Sequence, residues 1–420
     1  MRYQTMSLTI LVILSASSFP TPCVSASIGS TGQIGSQEDL QAGTFYYVGT
    51  NGGDNDPGTE ARPFRTITKG LSVLAPGDTL YIKSGTYAEA LTGIPGGTSW
   101  TAPVTVAAYP GHTVVINGAR WGYVVYIGGS NRHHIVLDGL ILDGVHTSKS
   151  VVSINEGAHH IRIQNCEIKN AYGSGIFLAQ PGSNEFISLE IHHNGTSGRG
   201  HGIYVESNNN LIEGCAIHHS AGWGVHVYNG HAGQGADGNV VRDNVVYDNT
   251  QGDYDDRGVG IGIYTGSGNI AYNNLVWGAN AIGIAVNYGA SNTRLYNNTV
   301  YHNNRQGIYI GSEARDTIVR NNIVYLNTGS QISDAGARTA IQHNLTANPQ
   351  FRDPSAHDFH LQPTSPAVDA GVALSEVSDD FDGVSRPRGT GYDIGAYEYL
   401  LGPPISPGKG YRYYFPVVVN

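Results

Sequence analysis

Between Val124 and Asn344 the apolar positions return in one order eight or nine times. A Gly-Ile-x-Val/Ile stretch leads through a polar turn to an apolar stretch ending in Asn-Asn or Asn-Cys, and a third short apolar stretch follows. The clearest copies run from Gly283 to Val300 and from Gly307 to Val324. Inside each stretch apolar and polar residues alternate, which predicts strands with one buried face. The whole phrase recurs every 22 to 30 residues, so each unit must stack on its neighbours to bury its apolar side. The expected fold is all-β: a solenoid whose coils each hold three short parallel strands.

Aligned on the turn after the second strand, the repeats give one column of Gly139, Cys166, Leu189, Cys215, Asn244, Asn274, Asn298, Asn322 and Asn344. The position before it is Asp138, Asn165, Asp243, Asn273, Asn297 or Asn321 in most coils. Stacked Asn side chains there would hydrogen-bond along the axis and satisfy backbone groups in the turn, so they are taken as ladder rather than ligand. With Ile and Val inward, the first strand turns out Tyr126, Ser153, Phe177, Tyr204, His226, Gly262, Ala285 and Tyr309. The next outward position gives Asn155, Ala179, Glu206, Tyr228, Tyr264, Asn287 and Gly311. On the third strand the outward column is Lys169, His192, His218, Tyr247, Trp277, Tyr301 and Tyr325. Its histidine pairs, His192-His193 and His218-His219, fit a stack more economically than a metal site.

Residues 44–118 depart from the repeat and form an N-terminal cap with the first coils. Tyr46–Val48 is a strand, and a short helix from Phe64 through Leu74 would shield the first open coil from edge pairing. Residues 119–345 carry the repeats. An acidic, Pro- and Gly-rich segment, 346–400, is expected to close the other end, and residues 401–420 form a tail with an aromatic-apolar stretch, Tyr411 to Val419. Residues 1–26 have the pattern of a secretory signal: Arg2, an apolar run from Leu8 to Ala16, and small residues at Val24-Ser25-Ala26. Nothing after them approaches the roughly 20 apolar residues that span a bilayer. A secreted or cell-surface monomer is expected.

Charged residues are only 13% of the chain, Gly occurs 57 times, and Tyr (26) far outnumbers Phe (9), a β-rich, turn-rich balance. The net charge of −10 argues against nucleic acid, whose phosphates require a basic footprint. It also weighs against a polyanionic polymer unless a bound cation bridges the two. Cys23 leaves with the signal. At roughly 4.8 Å per coil, Cys166 and Cys215 would sit about 10 Å apart, beyond disulfide reach, as buried free thiols.

The phrases Tyr46-Tyr47-Val48, Asn51-Gly52, Asp56-Pro57-Gly58-Thr59, Pro63-Phe64, Pro76-Gly77-Asp78-Thr79 and Gly85-Thr86-Tyr87 resemble the start of secreted bacterial proteins of the pectate-lyase-like superfamily. Asp380-Phe381-Asp382-Gly383, Arg386-Pro387 and Asp393-Ile394-Gly395-Ala396-Tyr397-Glu398 resemble the choice-of-anchor segment of bacterial β-helix proteins. The resemblance implies a right-handed parallel β-helix acting on a polysaccharide as lyase, hydrolase or epimerase, and leaves the reaction open. Family 9 polysaccharide lyases, similar in the cap, use a lysine base beside calcium held by aspartates. Here the lysines are Lys69, Lys83, Lys149, Lys169 and Lys409, none on the first-strand face of the central coils, so that mechanism does not carry over.

Rings beside hydrogen-bonding groups suit sugars, whose C–H faces stack while their hydroxyls need polar partners. Coils three to six offer such a face. Glu206 and His226 come from adjacent coils, and His226 or Tyr264 could serve as acid or base. Arg199 and His201 would address a carboxylate, and Phe177, Tyr204 and Tyr228 would stack. The long turns Gly230 to Asn239 and Asn249 to Gly258 flank this face. In the second, Asp253, Asp255 and Asp256 could hold calcium, or Asp255 or Asp256 could act opposite Glu206, with Arg257 touching substrate or neutralising the loop. Three functions stay open: β-elimination of an extracellular polysaccharide, which is preferred; a glycoside hydrolase using a carboxylate pair; and a non-catalytic glycan-binding or structural β-helix.

Overall fold

The computed structural model describes residues 43–196, 200–230, 235–249 and 258–400. Among them the chain winds into a parallel β-helix of three sheets. The first-strand sheet has ten strands, from Leu91–Thr92 to Ile332–Asp334; the second-strand sheet has twelve, from Phe45–Val48 to Ala340–Gln342; the third-strand sheet has ten, from Gly85–Tyr87 to Ile323–Tyr325. Most strands are three residues long, enough to point two side chains one way and one the other. In Ile203–Val205 the outer two are fully buried and Tyr204 faces out. Register then aligns these outward residues from coil to coil. Tyr126, Ser153, Phe177, Tyr204, His226, Gly262, Ala285 and Tyr309 are successive pairing partners, as the alternation predicts.

The turn after the second strand is held by two rows of side chains. Asn165, Asp243, Asn273, Asn297 and Asn321 take left-handed φ values of 49 to 56° and so reverse the chain. Three of them also donate along the axis: Asn165 to Asp138 (2.9 Å), Asn273 to Asp243 (3.1 Å) and Asn321 to Asn297 (3.3 Å). The following column forms the longer ladder. Asn244, Asn274, Asn298 and Asn322 each give Nδ2–H to the next Asn Oδ1 at 2.9 to 3.0 Å, ending on Asn344, and each Oδ1 also accepts the backbone N–H of the coil before. Cys166 and Cys215, in that same column, are buried free thiols.

At the N-terminal end the helix is shorter than expected, Ile67–Leu71, because Phe64 is spent in a bridge to Val48 and Thr66 caps the helix by accepting from Lys69 N–H. Ile67 and Leu71 join Val48 and Leu80 in the core. The C-terminal segment differs more. Instead of closing the solenoid it lies along the flank, over the third-strand sheet and the Asn turns. Phe351, Phe359, Phe381 and Ile394 pack on Val245, Tyr247, Leu275, Trp277 and Ile323, while Leu374 and Val377 reach Tyr272 and Tyr296 on the second-strand sheet. Those outward positions are apolar and need cover. Arg386 anchors the crossing, fully buried with Glu398 at 2.6 Å and donating to the Gly395 and Ala396 carbonyls and to Asn273 Oδ1. At the last coil Ile341 remains exposed.

Candidate functional site

On the first-strand face, consecutive coils bring Tyr204, His226 and Tyr264 to one spot, with Glu206 and Tyr228 two residues further along their strands. The His226 ring stacks on Tyr204 (centroids 5.0 Å, 13°) and on Tyr228 (5.4 Å, 8°), and meets Tyr264 edge-on at 5.7 Å. Phe177 extends the row at 5.6 Å from Tyr204. His201 comes from the turn before the strand, and its Nε2 lies 3.3 Å from His226 Nδ1.

Hydrogen bonding fixes where the protons of this pair sit. The backbone N–H of Trp223 donates to His201 Nδ1 at 3.0 Å, so a neutral His201 carries its proton on Nε2 and donates it to His226 Nδ1. The proton of His226 is then on Nε2. That atom is buried and has no hydrogen-bond partner among the described residues. Burial, and then the neighbouring His201, hold the His226 pKa well below the usual histidine range, which keeps the ring neutral. Burial and a hydrogen bond to Glu206 push the Tyr204 phenol well above its ordinary range, so it serves the carboxylate as a donor. The Glu206 backbone is pinned as well: its carbonyl accepts from Gln180 and from Asn229, each at 3.0 Å.

Phe177, His201, Tyr204, Glu206, His226, Tyr228 and Tyr264 are thus gathered as the sequence suggests. Arg199, Asp253, Asp255, Asp256 and Arg257 lie outside the described residues. Among the described residues no group of three or more His, Cys, Asp or Glu side chains is placed to hold a metal ion. Two ring residues escape a sequence reading. Trp223 sits 3.9 Å from His226 and 4.6 Å from Tyr264, and Tyr288 lies tilted 4.8 Å from Tyr264. The available signal was the gap at Gly262 in the outward column, where a Cβ would stand 2.4 Å from Trp223 Cζ3. Two buried acceptors without a partner among the described residues, Asn155 Oδ1 and Asn287 Oδ1, occupy the same face upstream and downstream.

The third-strand column is a stack: His192 on His218 (5.1 Å, 4°), His218 on Tyr247 (4.6 Å, 16°) and Tyr247 on Trp277 (4.9 Å, 7°), with His357 of the C-terminal segment on Trp277 at 4.8 Å.

Residues 46–348 match the family described as Pel9A-like, right handed beta helix region. The chain belongs to this family. Fold neighbours of the Pel9A-like chain include pectate lyase Pel9A (TM-score 0.67, 17% identity, 86% of this chain and 98% of that one) and a rhamnogalacturonan lyase (0.59, 17%, 82% and 99%). A GH136 lacto-N-biosidase from Eubacterium ramulus follows (0.50, 12%, 72% and 68%). A curated relative, the uncharacterized protein YwoF of Bacillus subtilis strain 168, is 30% identical over 137 residues, 30% of this chain and 29% of that protein. The chain therefore spans less than a third of the curated relative it matches. In this Pel9A-like protein the described lysines are engaged away from His226: Lys169 with Glu167, Lys83 with the Glu60 carbonyl, Lys69 over Phe64 and Lys149 over Tyr123. No helix of the described residues is long and apolar enough to cross a membrane.

Proposed function

We propose that this protein is an exported carbohydrate-active enzyme that binds an extracellular polysaccharide along the first-strand face and cleaves it by β-elimination at a uronate. The observation that carries this reading is the linked group Trp223, His201, His226, Tyr204 and Glu206, set among rings at the middle of that face. Its family membership supports it. Glu206 takes the proton beside the sugar carboxylate, the neighbouring carbon–oxygen bond to the leaving chain breaks, and the Tyr264 hydroxyl returns a proton to the leaving oxygen. His226, buried and neutral, holds the rings of Tyr204, Tyr228 and Tyr264 in place beside Glu206. Arg199 and Arg257 supply positive charge to the same group, and Asp253, Asp255 and Asp256 are the candidate calcium ligands.

The test is a panel of uronate and neutral polysaccharides, with and without calcium, followed by near-ultraviolet absorbance and by new reducing ends. Absorbance rising with reducing ends is the expected result, because elimination alone leaves a conjugated double bond. One observation favours hydrolysis as a second reading: Glu206 is the carboxylate of the two outward columns, and a hydrolase would draw its second carboxylate from Asp255 or Asp256. Reducing ends without absorbance would select it.

A further inference from the structure

Well upstream of His226, the same face carries a second group of rings in an unusual setting. Arg120 and Tyr123 exchange backbone hydrogen bonds at 2.9 and 3.0 Å around Trp121 and Gly122, whose φ values are 54° and 90°. Both central residues are left-handed, the type I′ arrangement that normally takes Asn, Asp or Gly. A bulky tryptophan there is strained, and strain held in place by its surroundings is a pointer to function. Trp121 is also 58% exposed, so the fold gains little from its ring. Its edge meets Tyr126 at 5.4 Å, and Tyr123 adds a third ring 5.6 Å from Tyr126.

Two cations complete the patch. The Arg120 guanidinium lies 4.5 Å from the Trp121 ring and the Lys149 ammonium 5.0 Å from Tyr123, with Lys149 N–H bonded to the Gly122 carbonyl. Neither forms an ion pair among the described residues, and they stand out on a chain of net charge −10. One carboxylate, Glu156, approaches through its hydrogen bond to Tyr126. Tyr172, also 58% exposed, lies on the corresponding turn two coils on, between this patch and the Tyr204 group.

We infer that Arg120, Trp121, Tyr123, Tyr126 and Lys149 form a distal platform for an acidic polysaccharide, stacking a sugar ring on Trp121 while Arg120 and Lys149 pair with uronate carboxylates. Four strand spacings of roughly 4.8 Å place Tyr126 about 19 Å from His226 along the axis, so one polymer chain can lie on both. This inference rests on the polysaccharide reading and adds to it a subsite remote from the point of cleavage.

The test is affinity electrophoresis of the full chain in polygalacturonate and in its fully methyl-esterified counterpart, which keeps the sugar faces and removes the charge. Trp121→Gly relieves the backbone, so the variant should melt no lower than the parent while binding polygalacturonate about tenfold or more weakly. Arg120→Gln with Lys149→Gln should weaken it similarly and flatten its salt dependence. Unchanged binding in Trp121→Gly, equal retention by the two polymers, or no binding by the parent would each overturn the platform. Binding that depends on Trp121 with no product from any polymer would uphold the platform and refute the proposed cleavage.

Discussion

His226 holds its proton on one nitrogen because its neighbour dictates it. The Trp223 amide occupies His201 Nδ1, and the proton order runs outward from there to His226 Nε2. Nitrogen-detected NMR should therefore find His226 neutral and protonated on Nε2 from about pH 6 to 8, resisting protonation well below the usual histidine value. A charged His226 in that range would contradict its place as the neutral centre of the ring cluster. Glu206→Gln should lower turnover by about a hundredfold or more with the melting curve unchanged, since Glu206 is partly exposed and outside the core. At this scale the outward residues were legible, because alternation assigns every strand position a side. Trp223 was not. It sits in a turn and reaches the site only because Gly262 leaves space, a relation between two coils that no local pattern displays. Gly262→Ala should displace the indole, costing about 1 to 3 kcal/mol in chemical denaturation and depressing turnover with it.

At the level of elements, the strands and their register followed from period and polarity, whereas their connections answered to side-chain chemistry. The Asn column shows why it recurs: each amide satisfies the backbone of the coil before and donates to the Asn side chain of the coil after. Asn298→Ala would leave the Asn274 N–H and Nδ2 without their shared acceptor inside the protein. A loss of about 2 to 3 kcal/mol is expected by urea denaturation, against little change for the exposed Asn304→Ala. The helix length and the path of residues 346–400 were less legible. Phe64 had an apolar neighbourhood but was claimed by a bridge to Val48, and the segment lacks any repeat to read. Its position is set by contacts distant in sequence, such as Arg386 with Asn273.

For the whole molecule, the grip of that segment depends on pH. Burial pulls the His360 pKa down, but hydrogen bonds to Asp358 and Asp382 outweigh it and raise the value to about 9 from 6.5. A raised pKa means stability present in full below 6.5 and lost as pH climbs through 9. Asp380 and Asp393, lifted by burial to about 6 from 3.8, act with the same sign in a lower window, favouring the folded state below 3.8 and ceasing to do so by 6. Thermal melts should thus fall between pH 7 and 9 for the parent and lose that slope in His360→Gln; a parent curve flat across the window would contradict the assignment. The crossing itself has a mechanical meaning. Stacked coils ordinarily peel from an end one at a time, each touching only its neighbours. Residues 351–397 are laced across the coils from Val245 to Ile323, so those rungs can be released only together. A molecule pulled from its C-terminal side should resist until this lacing gives way and then lose a block of coils in a single step.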